Sequence, residues 1–273
     1  MIYSPSQTDL YAVCPMKRQL RYRDRWVTKV AGKRDLAAIL GQAFAVGVAQ
    51  HNTMRAGGNI NGVVPASVAR TYAEGHLWSE IEDAGRRVEP WDRSQYEAVP
   101  ERAFKLVEKY IAHDPIPSGW PILGIEERLP SGVARPDLVV DDGRGPTPLD
   151  YKTKLSLKRD YEEREVSRWR MSWQLLHYCW ELKADHYYIC LIVAEPFRVQ
   201  LYPFEVHPKM MQWWVESAEQ RWGLMAMEDA DERVVGMASQ HADAFGECEY
   251  ATACFQHHLD PERMKADYVQ RGR

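Results

Sequence analysis

The 273-residue chain has little cysteine, five residues at positions 14, 179, 190, 248 and 254. So sparse and irregular a set excludes the disulfide lattice of a small secreted domain and fits a reducing compartment. It has no surplus of positive charge, 35 Lys and Arg standing against 39 Asp and Glu, so bulk charge cannot hold a polyanion and any such partner needs a local basic surface. No window reaches the roughly 18 apolar residues of a membrane span, and the opening Met1-Ile2-Tyr3-Ser4-Pro5 has neither a basic nor an apolar leader region. Internal repeats and low-complexity tracts are absent. What is left is an ordinary globular composition, 45% hydrophobic and 27% charged with 17 Gly and 16 Pro, long enough to bury a sizeable core. A soluble cytoplasmic protein is expected.

The pattern is helical at both ends and extended in the middle. Ser4-Pro5-Ser6-Gln7 supplies a Ser N-cap, a Pro at the first helical position and a Gln to close a capping box, so a helix starts there and breaks at Cys14-Pro15. Leu36, Ile39, Leu40, Ala43, Phe44, Gly47 and Val48 recur at helical spacing, predicting a long amphipathic helix over 33–56 that Gly57-Gly58 stops. Further helices are predicted over 66–83 and 92–112. From Pro121, short apolar runs parted by turn residues predict three successive antiparallel strands, at 122–126, 133–140 and 148–152. A helix over 168–183, a strand pair at 187–194 and 197–204, and helices over 207–228 and 260–270 complete an α/β order.

The chemistry-bearing pattern is Pro136-Asp137, then twelve residues, then Asp150-Tyr151-Lys152. Strand side chains alternate faces, so Asp150 and Lys152 point the same way, and a hairpin turn brings Asp137 beside them. A lone Asp-x-Lys is a surface ion pair on a strand. Here the charges interrupt the apolar runs Leu138-Val139-Val140 and Leu149, where ionisable groups signal a site. Two carboxylates sharing a small volume repel unless a divalent metal offsets them, which leaves the lysine to act on a water or a phosphate. That is the composition of a metal-dependent phosphodiesterase.

With these residues the chain resembles the PD-(D/E)XK nucleases, and within them the RecB-like branch of helicase-associated, CRISPR-adaptation and phage nucleases. Five weak motifs in order carry the resemblance: Ser4-Pro5-Ser6 with Cys14-Pro15, Gly41-x5-Gly47-x3-His51, Pro136-Asp137, Asp150-x-Lys152, and Gln174-Leu175-Leu176-His177-Tyr178. The resemblance implies a restriction-endonuclease-like α/β fold, a mixed central sheet flanked by helices, in one nuclease domain over 1–273. Within it, 1–115 would be a helical part with the metal His, 116–206 the sheet core and 207–273 a helical C-terminal cover. It also implies Mg²⁺ or Mn²⁺ held by His51, Asp137, Asp150 and the Tyr151 carbonyl, with Glu126 at an acidic position that some relatives use. Glu127 leaves that choice open, and either acid also reads as a solvated strand-end charge. Lys152 would activate or orient the attacking water, and Gln174 and Tyr178, one helical turn apart, would position Lys152 or the DNA backbone. Without the other motifs His51 reads as a packed or capping residue, Tyr178 as core and Gln174 as surface. The implied reaction is hydrolysis of DNA, with exonuclease action on ends in recombination, repair or phage DNA metabolism favoured. The alternatives are a structure- or site-specific endonuclease and a catalytically vestigial DNA-binding module. Implied partners are single-stranded or end-containing DNA and a recombinase or single-strand annealing or binding protein, in a bacterial, archaeal or phage-infected cell.

Some RecB-like nucleases hold a [4Fe–4S] cluster through one N-terminal Cys and a C-terminal Cys-x2-Cys-x5-Cys. Cys14, Cys248 and Cys254 match three of those positions, and Phe245 stands where the remaining thiolate belongs, whereas a cluster wants four soft ligands. A zinc site completed by His241, His257 or His258, and small buried cysteines where the termini meet, are the other readings. Cys179 and Cys190 read as core. For nucleic acid, residues 17–34 hold eight basic side chains, among them Arg21, Arg23 and Arg25, against Asp24 alone. Lys154, Arg168 and Arg170 with Trp169 and Trp173 form a second basic and aromatic segment, suited to phosphate contact and base stacking, or else a solvated helix face with Trp173 in the core. Acid gathers at 226–249, including Glu228 and Asp229, and is expected away from DNA.

Overall fold

The computed structural model describes residues 2–29, 31, 33–58, 62–81, 85–231, 242–243, 246–247, 250, 253–254, 259 and 261–270. His241, Phe245, Cys248, His257 and His258, on which the cluster-or-zinc question turns, lie outside the described residues. The Ser4 side chain accepts from the Gln7 N–H at 3.4 Å and starts α1 (Pro5–Val13). Past Cys14 come α2 (Pro15–Arg18), a π-turn over Gln19–Arg23 and the short strand β1 (Trp26–Thr28). The two long predicted helices follow as α3 (Lys33–Arg55) and α4 (Pro65–Ile81). The helix expected over 92–112 is two, α5 (Arg93–Glu97) and α6 (Val99–His113), broken at Ala98. Pro100, in the first turn of α6, has no N–H, and its ring excludes a carbonyl one turn earlier.

Five strands make one sheet, in spatial order β2 (Ile122–Ile125), β3 (Leu138–Asp141), β4 (Pro146–Ser156), β5 (His186–Glu195) and β6 (Arg198–Glu205). β4 and β5 are parallel and every other neighbouring pair is antiparallel. A parallel pair needs a crossover, which α7 (Glu162–Ser167) and α8 (Trp173–Leu182) supply, so the helix expected over 168–183 starts only at Trp173. β3 begins at Leu138 rather than at 133 because Pro136 brings no ladder N–H, and the Asp137 side chain is turned to the Tyr151 N–H. After α9 (Pro208–Asp231) and the two-residue pair β7 (Ala242–Asp243) and β8 (Gly246–Glu247), the segment expected to be helical over 260–270 is helical only in α10 (Pro261–Met264). Its last residues form β9 (Tyr268–Gln270), paired antiparallel with β1 through Val27 and Val269. Three-residue strands carry no alternation that local reading can detect.

The sheet is covered on both faces. Phe44, Val48, Leu106 and Tyr110 of α3 and α6 pack on Leu149, Tyr151, Cys190 and Ile192. Leu175 and Leu176 of α8 and Trp214 and Met225 of α9 pack on Ile189, Leu191 and Val193. Where α3 meets α4 and α6 the helices touch at Gly47; a Cβ there would come within 2.9 Å of Ala69 Cβ and Val107 Cγ2. A third cluster joins Cys14, Met16 and Trp26 to Tyr250, Met264 and Tyr268, with Cys254 packed against it. Part of the opposite charge at the two ends of the chain is structural. Arg18 forks onto Asp229 at 2.7 and 2.8 Å, and Tyr11 donates to Glu228 at 2.7 Å, so α1 and α2 are stapled to α9. Among the described residues no helix is long and apolar enough to cross a membrane.

Candidate active site

Strand register carries three acids into a row. Ile125 pairs with Leu138, and Leu138 with Leu149, so the adjoining residues Glu126, Asp137 and Asp150 stand side by side where β2, β3 and β4 meet the loops. The Glu126 N–H donates to the Asp137 carbonyl at 3.2 Å, and the Tyr151 N–H donates to Asp137 Oδ2 at 2.7 Å. In the β4–β5 register Asp150, Lys152 and Lys154 lie opposite Ile189, Leu191 and Val193, which belong to the α8–α9 side of the core. The three charged residues of β4 therefore face α8, while Leu149 and Tyr151 face α3.

The acids of this row are under-compensated. Asp150 is 2% exposed, and its Oδ2 has the Lys152 Nζ at 2.6 Å as its ion-pair partner. Burial first, and the Asp150 charge second, push the Asp137 carboxyl well above the ordinary carboxylate range, against the opposing pull of the Tyr151 N–H and Lys152. Burial also raises Glu126, against the opposing pull of Arg135 at 3.0 Å, with the Asp150 charge adding to the rise. Gln174 and Tyr178 meet: Gln174 Nε2 donates to the Tyr178 hydroxyl at 2.6 Å, which donates to the Arg135 carbonyl at 2.9 Å. The phenol thus ties α8 to the residue preceding Pro136-Asp137. Burial, then the Asp150 charge, raise its pKa. Arg135 is not among the residues expected at the site, because nothing within the predicted strand 133–140 announces its ion pair with Glu126.

His51 is not brought to the acids. Its ring lies edge-on to Tyr110 at 6.4 Å, and the Tyr110 and Tyr151 hydroxyls are 3.1 Å apart on the α3–α6 side of the sheet. Burial lowers the His51 pKa, and the charges that act on it are Asp114 and Arg55 rather than Asp137 or Asp150. Its Nε2 is buried with no hydrogen-bond partner among the described residues. The resemblance implies a ligand at this position, but the His51 ring packs beside Tyr110 on the α3–α6 side, whereas Asp150 faces α8. Among the described residues no three His, Cys, Asp or Glu side chains close on one metal position.

The basic segments are also redistributed. Lys17 and Arg18 are buried, and Arg18 is held by Asp229, which corrects the reading of 17–34 as one basic surface; Arg21, Arg23 and Arg25 are exposed. Lys154 pairs with Glu165 at 2.6 Å, and Arg168 with the same carboxylate at 3.3 Å. Trp169 is half-buried against the α8–α9 core and Trp173 is buried beside Trp214, so Trp173 is a core aromatic, while Arg170 is exposed. Cys14 and Cys254 share the cluster where the two ends of the chain meet, and Cys179 and Cys190 are core.

Comparison with protein families finds that the model of the PD-(D/E)XK nuclease superfamily matches residues 2–255. No curated protein matches the chain.

Proposed function

The chain belongs to the PD-(D/E)XK nuclease superfamily, whose members are metal-dependent nucleases, and from that premise we propose that Asp137, Asp150 and Lys152 are its hydrolytic centre, acting on DNA. The observation that carries this reading is the close acid pair and its lysine: a raised Asp137 carboxyl beside the buried Asp150, whose Oδ2 has the Lys152 Nζ 2.6 Å away. That donor set fits Mg²⁺ or Mn²⁺, which take hard carboxylate oxygens and remove the like-charge penalty. Asp137, Asp150 and the Tyr151 carbonyl would hold the ion, with Glu126 at the edge of the row. When bound, the metal supplies Lewis-acid polarisation of the phosphate and a more acidic water. Lys152 keeps its ammonium beside Asp150, in position to donate to the attacking water or to a phosphate oxygen and to stabilise the charge that builds there. Tyr178 and Gln174 are positioning residues, because they hold the Arg135 carbonyl and through it the Pro136-Asp137 turn. His51 is left out of this set, its neighbours being Tyr110, Asp114 and Arg55.

Exonuclease action on ends is the finer part of the proposal, supported by the ordered run of RecB-like motifs from Ser4 to Tyr178. The reading of 1–273 as one nuclease domain has the same support, together with the packing of α3 and α6 on β4 and β5. The test is digestion of end-labelled linear DNA and of a sealed circle, with and without Mg²⁺ or Mn²⁺. Loss of the linear substrate alone is expected. Cutting of the circle overturns the exonuclease reading, and absence of metal-dependent cutting on either substrate overturns the nuclease. Metal should also stabilise the fold, by about 2.7 kcal/mol at a hundred times its dissociation constant.

A further inference from the structure

The sheet face that carries Asp150 and Lys152 continues past β5. Tyr202 pairs with Ile189 and Gln200 with Leu191 in β6, and these two β5 residues pair in turn with Asp150 and Lys152. Gln200 and Tyr202 therefore lie two strands away on the same face, roughly 10 Å at ordinary strand spacing. There α7 stands off β6 and leaves an open cavity of about 400 Å³, lined among others by Arg159, Glu163, Ser167, Arg170, Gln200 and Tyr202. Its size falls in the roughly 300–1,000 Å³ range of sites that take small organic groups.

The walls of this cavity are held in place. Glu165 of α7 is anchored by Lys154 at 2.6 Å. Glu162, the other acid of the lining, is taken by Arg198 at 2.8 and 3.2 Å and by the Tyr202 hydroxyl. Arg159 and Arg170, which stand just before and just after α7, are exposed, and Glu163 is the remaining acid. The result is a preformed recess with two guanidinium groups, an exposed amide and a tyrosine ring, on the face and at the level of the acid–lysine cluster.

We propose that this recess is a second nucleotide subsite. It takes a backbone phosphate and its nucleoside from the strand whose scissile phosphate lies at Lys152, about three stacked nucleotides away at roughly 3.4 Å each. The proposal rests on the nuclease reading, since a strand threaded past Lys152 is what brings a polyanion to this recess. Arg159 and Arg170 contact phosphate oxygens, and Gln200 and the Tyr202 ring meet the sugar or base, a combination suited to a single strand.

The test is equilibrium binding of a labelled single-stranded oligonucleotide to the full chain in EDTA, across a salt series. In the double variant Arg159→Ala with Arg170→Ala, the slope of log affinity against log salt should become shallower by about 1.4, two phosphate contacts at roughly 0.7 each. Glu163→Gln should tighten binding, a gain that damage to the fold cannot produce. A slope equal to the parent's in the double variant, or no tightening in Glu163→Gln, overturns the subsite. If the parent cuts DNA while the double variant keeps the parent's slope, the subsite alone falls; if the parent neither binds nor cuts DNA, both readings fall.

Discussion

Opposite ends of β3 carry two clusters made from the same kinds of side chain. At its start are Asp137, Asp150 and Lys152. Just past its end, the His186 ring lies between Asp142 Oδ2 and Asp185 Oδ1, 2.7 Å from each, with Thr147 Oγ1 at 3.1 Å and the Tyr188 hydroxyl donating to Asp142 at 2.7 Å. Both ring nitrogens of His186 lie within hydrogen-bond distance of a carboxylate oxygen, so the buried groups of this second cluster are partnered. Against the burial that would raise it, hydrogen bonds from Tyr188 and His186 hold Asp142 down to about 2. In the first cluster burial and the Asp150 charge win, and Asp137 goes up. A fully partnered buried network rigidifies the fold. A pair of acids left facing each other stores free energy that a cationic ligand can release, which marks a site.

The largest effect that would break this contrast is on activity. Lys152→Ala should lower metal-dependent cleavage on the order of 10² to 10³-fold, whereas His186→Ala should leave cleavage near the parent's at temperatures well below its unfolding. Equal losses in an end-labelled assay would erase the distinction. Stability should respond in the opposite sense. His186→Ala takes the imidazole away from the Asp142 side chain, 5% exposed, and should cost about 2 kcal/mol in denaturant unfolding, the range of a hydrogen bond to a charged group. A cost under half of that would mean the network is not structural.

The two acids should also differ in the sign of their pH dependence, measured by unfolding in EDTA. Asp142 titrates at about 2 in the fold against an ordinary 3.8, so its contribution is present above 3.8 and lost as pH falls toward 2. Asp137 is raised, so the fold binds its proton more tightly than the unfolded chain does. Its contribution is present at low pH and lost as pH rises through the raised value. Asp142→Asn should remove the acid loss and Asp137→Asn the acid gain; slopes of one sign in both would refute the assignment. The smallest effect compares two phenols. Tyr188→Phe removes one hydrogen bond, to Asp142, and Tyr178→Phe removes two, from Gln174 and to the Arg135 carbonyl, each worth about 1 kcal/mol. Only Tyr178→Phe should also lower kcat, because its hydroxyl holds the Arg135 carbonyl beside Asp137. A parent-like kcat in Tyr178→Phe would show that the turn needs no such tie.

Long periodic elements were legible in the sequence because their signal is local: α3, α4 and the strand pair β5–β6 fall close to where spacing and turn residues put them. That Gln174 and Tyr178 meet was legible for the same reason, since residues four apart on a helix are neighbours, though only the family resemblance singled them out. The β1–β9 pairing was not, because it joins segments more than 200 residues apart through strands of three residues. Lys17 and Arg18 looked like surface because nothing near them in sequence announces Asp229 and Glu228, which lie on α9. Lys154 looked available for DNA because Glu165 reaches it only once the crossover has folded back.

By itself the sequence determined that Asp150 and Lys152 share a face, and that both interrupt an apolar strand, since two-residue alternation belongs to any strand whatever surrounds it. It also determined that Asp137 precedes a turn that can return to them. Only the tertiary structure decided the rest: that Glu126 and Asp137 stand level with Asp150, that His51 faces away from them, and that the cluster at Asp142 is satisfied while the one at Asp137 is not. Those facts depend on register between strands and on which helix covers which face. Both are set by packing among residues far apart in the chain, which no local pattern encodes.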